Sequence, residues 1–224
     1  MIDMLTGHRK RLKERFMIAP ESLPDYEILE LVLFNALPRK DVKILAKSLI
    51  AQYGSFAKAV NFDECSADKK STTISPSVIY QFQLIKESLK RLLKENISQR
   101  TLLNNWNSLY DYLQVDIGHL NIEHFRILYL NTKNFLIADE IHATGTIDQA
   151  SVYPREILKK AIFHGAASVI LAHNHPSGIT KPSKSDIIIT SKIMEACKMI
   201  DVNVHDHIII GGNDIFSFKS NNLL

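Results

Sequence analysis

Cysteine is scarce in this 224-residue chain: there are two, Cys65 and Cys197, in no C-x-x-C or comparable spacing. That argues against a disulfide framework or a thiolate zinc site and leaves each as a small core hydrophobe. Low cysteine use fits a reducing compartment. Long apolar runs are also missing: nothing approaches the roughly 20 residues that a membrane helix needs. The opening segment, MIDMLTGHRKRLKERF, is charged and lacks the apolar stretch of a signal peptide. A cytoplasmic protein with no membrane partner is therefore expected. No internal repeat or low-complexity tract is found. What remains is ordinary for a soluble globular protein, 46% hydrophobic and 23% charged.

The net charge of +3 hides an asymmetry. Residues 1–100 hold 17 Lys+Arg against 12 Asp+Glu, and residues 101–224 hold 10 against 12. A basic first half beside a slightly acidic second half suggests two modules, 1–100 and 101–224. Any nucleic-acid contact would then lie in the first.

Residue patterning supports the same division. Helices are expected over 4–16, from a start capped by Ser22 or Asp25 through Leu33, over Lys40–Tyr53 with Gly54 ending it, over 55–60, and over 76–98. Residues 61–74 read as a loop. The second half changes character. A short helix near 105–115 precedes two antiparallel strands, FRILYL (125–130) and FLIADEIHA (135–143), with Lys133 and Asn134 at the turn. Pro154 opens a helix that ends near Gly165. SVILAH (168–173) is a buried strand, Ser183–Ile200 a helix, and VHDHIII (204–210) with IFSFK (215–219) a closing hairpin. The fold class is α+β: an all-helical module, then a mixed α/β domain.

The chemistry concentrates in His173-Asn-His-Pro-Ser-Gly-Ile-Thr-Lys-Pro-Ser-Lys-Ser-Asp186. A catalytic zinc takes three protein ligands and leaves one position for water. Two histidines two apart at a strand end point to one face. Asp186, in the first turn of the next helix, sits where the helix dipole favours a carboxylate. His173, His175 and Asp186 are the expected metal ligands. The letters H-N-H are too close together for the nucleases of that name. The zinc deaminases need H-x-E and P-C-x-x-C, which are absent. A second H-x-H, His205 and His207, has no carboxylate at the matching offset. It reads, with Asp206, as structural or as support behind the ligands.

The pattern H-x-H-P-x(6)-S-x-x-D resembles the JAMM motif of MPN-type metallopeptidases. LAHNHPSG followed by PSKSDIIIT is similar to the RadC family in particular. The resemblance continues through GTIDQASVYPREILKKAI and DHIIIGG and covers 104–224. It implies an MPN/JAB domain, cytidine-deaminase-like in fold, and a zinc-dependent hydrolase acting on an amide bond of a protein or peptide. It also implies a glutamate general base, for which Glu123 is favoured over Glu140. Glu123 would take a proton from zinc-activated water, and Ser183 would help to stabilise the oxyanion. Ser183 could equally be the N-cap of its helix, or both. Arg155 and Glu156 are family-typical and are assigned no chemistry.

LVLFNALPRKDVKILAKSLIAQYGSF resembles the RadC N-terminal module, which is helix-hairpin-helix-like and implies phosphate contacts to DNA. Here TTISPSV (72–78) stands where the glycine hairpin would sit, with no glycine to let backbone approach a phosphate. Lys86, Lys90, Arg91 and Lys94 follow on one helix face, as a DNA surface or simply a solvated one. A DNA-associated repair or recombination factor is thus the alternative function, and a metal-binding scaffold without turnover a third.

Overall fold

The computed structural model describes residues 2–61, 74–98, 106–145 and 152–224. Cys65, most of the expected loop 61–74, the first two residues of TTISPSV and the segment 146–151 lie outside them.

The chain forms two compact units, Met1–Ser88 and Leu89–Leu224. The first is helical: α1 (Ile2–Ile18), α2 (Asp25–Ala36), α3 (Lys43–Tyr53), α4 (Phe56–Val60) and the start of α5 (Pro76–Ser98). Leu12, Leu29, Leu33, Ala46, Leu49, Val78 and Phe82 recur at helical spacing and form its core. Each leucine, valine or phenylalanine among them contributes about 1.5–3 kcal/mol on burial. Gly54 ends α3 in the left-handed region at φ 87°, as its sequence position suggested. The expected caps of α2 are not formed. Pro24 occupies the N-cap, Ser22 sits in a 3-10 turn, and the Asp25 carboxylate instead accepts from Phe56 N at 2.8 Å, at the start of α4. Proline fits that entry because it has no N–H to leave unpaired.

The second unit is a mixed sheet between helices. Its strands are β1 (His124–Leu130), β2 (Leu136–Thr144), β3 (Ser168–Asn174), β4 (Asn203–Gly211) and β5 (Asp214–Ser217), in spatial order β2-β1-β3-β4-β5. Only β3 and β4 run parallel. The α7 (Pro154–His164) and α8 (Lys184–Lys198) helices pack on one face, over Ile127, Tyr129, Val169 and Leu171. On the other face α6 (Trp106–Asp116) packs over Leu128, Leu130, Ile170 and Ile208. Every residue of β3 is buried, which its apolar run requires. Cys197 is fully buried, and burial pushes its thiol pKa up to about 11, so it is the inert core residue its sequence suggested.

The division between the two compact units falls inside α5. The reason is packing: Leu93 and Ile97 join the sheet core with α6. Charge reinforces this. Lys90 Nζ lies 2.5 Å from Asp116 Oδ1 and Lys94 Nζ 3.3 Å from Asp139 Oδ2. Two of the four cations read as an open helix face are therefore held in ion pairs within the second unit. No helix among the described residues is long and apolar enough to cross a membrane.

Candidate metal centre

The site is built at the C-terminal end of β3. Alternation along the strand turns His173 and His175 to one side and Asn174 to the other. The loop after His175 is fixed at both ends: His175 N donates to Ile210 O at 2.7 Å, and Gly178 takes φ 79°. Gly211 lets that loop lie close, since a Cβ there would meet the Gly178 carbonyl at 2.7 Å. The chain then re-enters a helix at Ser183, the N-cap of α8. Ser183 Oγ accepts from Asp186 N at 3.1 Å, and Asp186 Oδ2 accepts from Ser183 N at 2.6 Å. This reciprocal cap fixes the Asp186 rotamer.

One ligand atom from each of His173, His175 and Asp186 lies within 4.8 Å of the others, and they are the only such His/Cys/Asp/Glu group among the described residues. The two Nε2 atoms are 3.0 Å apart. Asp186 Oδ1 is 3.3 Å from His173 Nε2, and Oδ2 is 3.5 Å from His175 Nε2. His175 Nδ1 lies 2.6 Å from Ile179 O. A carbonyl only accepts, so His175 carries its N–H on Nδ1 and presents a bare Nε2 to the centre. Asp186 Oδ1 is buried and accepts no hydrogen bond. Lone pairs and a carboxylate oxygen facing one another at this range suit a shared proton or a cation, and the donor set of two imidazoles and one carboxylate could hold a divalent metal.

The electrostatics agree. Burial lowers the pKa of His173, and Asp186 only partly opposes this. His175, held by Asp186 and less deeply buried, is shifted upward. Burial alone would raise Asp186, but the two histidine rings beside it take it well below the carboxylate range. The carboxylate is thus ionised at any neutral pH, as a metal ligand must be.

The two glutamates separate clearly. Glu123 immediately precedes β1, and its charge favours the protonated forms of both His173 and His175. Glu140, in the middle of β2, is engaged elsewhere. It lies 2.9 Å from Lys160 Nζ and 2.7 Å from His164 Nε2 on α7, and its pKa is lowered. Arg155 is largely exposed and pairs with its neighbour Glu156 at 3.3 Å.

The His205/His207 pair divides. His205 Nε2 contacts Asn134 Oδ1 at 2.8 Å, at the turn after β1. His207 is fully buried, 2.8 Å from His173 Nδ1. Asp206 ties β4 to the end of β5, accepting from Ser217 Oγ at 2.5 Å and Lys219 N at 2.9 Å.

The matching family model is that of the RadC-like JAB domain, over residues 103–223. Relatives include a UPF0758 protein of Ruegeria pomeroyi, 42% identical over the whole of both chains. A UPF0758 protein of Rhodobacter capsulatus is 41% identical over 95% of this chain and all of its own. The chain belongs to the RadC family. The RadC-like match contains Glu123, His173, His175, Asp186 and His207, and the sheet and flanking helices described above are its JAB domain.

Asn174 and Thr190 were not singled out in the sequence. Asn174 is buried between the two ligand histidines. It accepts from His124 N at 2.8 Å and donates to Leu120 O at 3.0 Å and Ile122 O at 3.1 Å. It therefore clamps the segment that carries Glu123. Its only signal was its place in H-x-H, where alternation sends the middle residue away from the metal. Thr190, four residues beyond Asp186, lies one helical turn along the same face of α8.

Proposed function

We propose that this RadC-family protein is a zinc-dependent hydrolase of amide bonds, of peptidase or isopeptidase type, with a protein or peptide as substrate. The observation that carries the reading is the buried Asp186 carboxylate, whose Oδ1 accepts no hydrogen bond and lies 3.3 Å from His173 Nε2, while Oδ2 lies 3.5 Å from His175 Nε2. His173, His175 and Asp186 would hold the ion. Zinc, when bound by three protein ligands, supplies Lewis acidity and brings the pKa of water towards neutrality.

The rest falls to side chains of this protein. Glu123, whose charge acts on both histidines, takes a proton from the attacking water and returns it to the leaving amine. Ser183 caps α8 through an oxygen lone pair, so the cap does not consume its O–H, which donates to the oxyanion of the tetrahedral intermediate. Asn174 holds the Glu123 segment at its working distance from the ligands.

The test is elemental analysis of purified protein, wild type beside His175→Ala, followed by a screen of peptide and isopeptide substrates. About one zinc per chain, lost in the variant, together with hydrolysis that a chelator stops, supports the reading. No zinc in either protein after incubation with the metal overturns it. A DNA-associated role would draw on the basic first hundred residues, and salt-dependent DNA binding by the zinc-free chain would favour it.

A further inference from the structure

Behind His173, on its Nδ1 side, lies a chain of buried polar groups that the proposed reaction does not use. His207 Nε2 is 2.8 Å from His173 Nδ1, and His207 Nδ1 is 2.6 Å from Thr190 Oγ1. Thr190 Oγ1 is in turn 2.5 Å from the backbone carbonyl of Asp186. His173, Thr190 and His207 are each at most 1% exposed. Phe125 stacks along His173, with ring centroids 5.9 Å apart, and Phe218 along His207, at 4.6 Å. Water has no access through those faces.

The protons can be placed from the far end. A carbonyl only accepts, so the single hydroxyl proton of Thr190 goes to Asp186 O, a back-bond common for threonine in helices. The hydroxyl oxygen must then accept from His207, which places the N–H of that ring on Nδ1. A neutral imidazole has one N–H, so His207 Nε2 is an acceptor. His173 must therefore donate from Nδ1, which leaves its Nε2 bare and facing His175 and Asp186.

We infer that Thr190 and His207 are positioning residues that form a proton-ordering relay, fixing His173 as the tautomer that ligates through Nε2. The relay ends on the backbone of Asp186. The helix that supplies the carboxylate ligand thereby also sets the protonation of the first histidine ligand. The metal reading enters only in the consequence for affinity; the tautomer is a property of the metal-free chain. Ligand-orienting partners of this kind are worth about 10–100-fold in metal affinity.

The experiment uses the full metal-free chain at mildly alkaline pH. Long-range nitrogen–proton spectra of the imidazoles report which nitrogen of His173 and His207 is protonated. Zinc affinity is measured by chelator competition on wild type, Thr190→Val and Thr190→Ser. Wild type is expected to carry the N–H on Nδ1 of both rings. Thr190→Val keeps the shape but removes the hydroxyl. It should mix the His207 tautomers and weaken zinc by about 10–100-fold, and Thr190→Ser should restore both readouts.

A wild-type His173 protonated on Nε2 alone overturns the relay, and this spectrum needs no variant to fold. A Thr190→Val protein with wild-type tautomers and wild-type affinity overturns it too. Ordered Nδ1–H tautomers in a wild type that takes up no zinc would uphold the relay and sink the metal reading instead.

Discussion

The side-chain oxygen of Asn174 accepts the backbone N–H of His124 at 2.8 Å, across the gap between two strand ends. The same side chain donates to Leu120 O and Ile122 O. Three bonds from one buried amide thus hold the residues on both sides of Glu123, while the neighbouring His173 and His175 face the opposite way. The two candidate histidine ligands and the segment of the candidate base are thus set by one three-residue stretch of backbone.

Asn174→Leu separates those two functions. It leaves two carbonyls and one N–H without their partner, at a cost of about 1–3 kcal/mol for each group that stays buried. The expected outcome is faster amide exchange at His124 and lower hydrolytic activity, with zinc content unchanged. Wild-type exchange at His124 would show that the clamp does not hold the segment.

Glu123→Gln and Glu140→Gln should differ in kind. Glu123→Gln keeps the shape beside the ligands but cannot take a proton. Zinc is retained, and turnover of a peptide hydrolysed by the wild type falls by about 100-fold or more. Glu140→Gln loses its ion pairs with Lys160 and His164 on α7. These are partly exposed, so a small loss of stability and near-normal turnover are expected. The reverse pattern would move the base to Glu140.

If the proposed zinc binds, it competes with a proton for His175. Because Asp186 raises the pKa of His175 in the metal-free chain, the proton is held to higher pH than on an ordinary imidazole. That contribution to metal-free stability is full below the unfolded pKa and is lost as pH rises through the folded one. Zinc needs the neutral ring, so its affinity runs the other way, falling about tenfold per pH unit for each proton it must displace. The gap in melting temperature between zinc-loaded and zinc-free protein should therefore widen from about pH 6 to about pH 8. A gap independent of pH would mean that His175 is not a ligand.

These dependencies show what could be read from the residues alone. The strands, the α7 and α8 helices and the meeting of His173, His175 and Asp186 were legible because each has a local cause: apolar alternation, Pro154 before a helix and Gly165 after one, and a histidine pair followed by a carboxylate in a first helical turn. Asn174 and Thr190 were not, because their roles depend on partners 50 and 17 residues away. His207 was legible only as a support. Its sequence twin His205 has the same local pattern, and only the sheet register puts one against His173 and the other against Asn134. The acidic partners of Lys90 and Lys94 were illegible for the same reason, since Asp116 and Asp139 are distant in sequence.

That charged cluster gives the sharpest stability prediction. Arg126 in β1 is 5% exposed and is held between Asp116, 2.8 Å from its guanidinium, and Asp139, which also accepts from Tyr112. The Asp139 side chain is fully buried, and the outer lysine, Lys94, is about half exposed. Removing a buried partner leaves an uncompensated charge, whereas removing an exposed one lets water replace it. Asp139→Ala is expected to cost about 3–5 kcal/mol, and Lys94→Ala less than about 1 kcal/mol. Trp106 is the single tryptophan and packs against this same core. Its fluorescence during urea denaturation therefore reports the unit that holds the cluster. Equal losses from the two substitutions would mean that the cluster is solvated and that α5 is held to the sheet by Leu93 and Ile97 alone. A large loss confined to Asp139→Ala would mean that the buried charges set the register of β2 against α6.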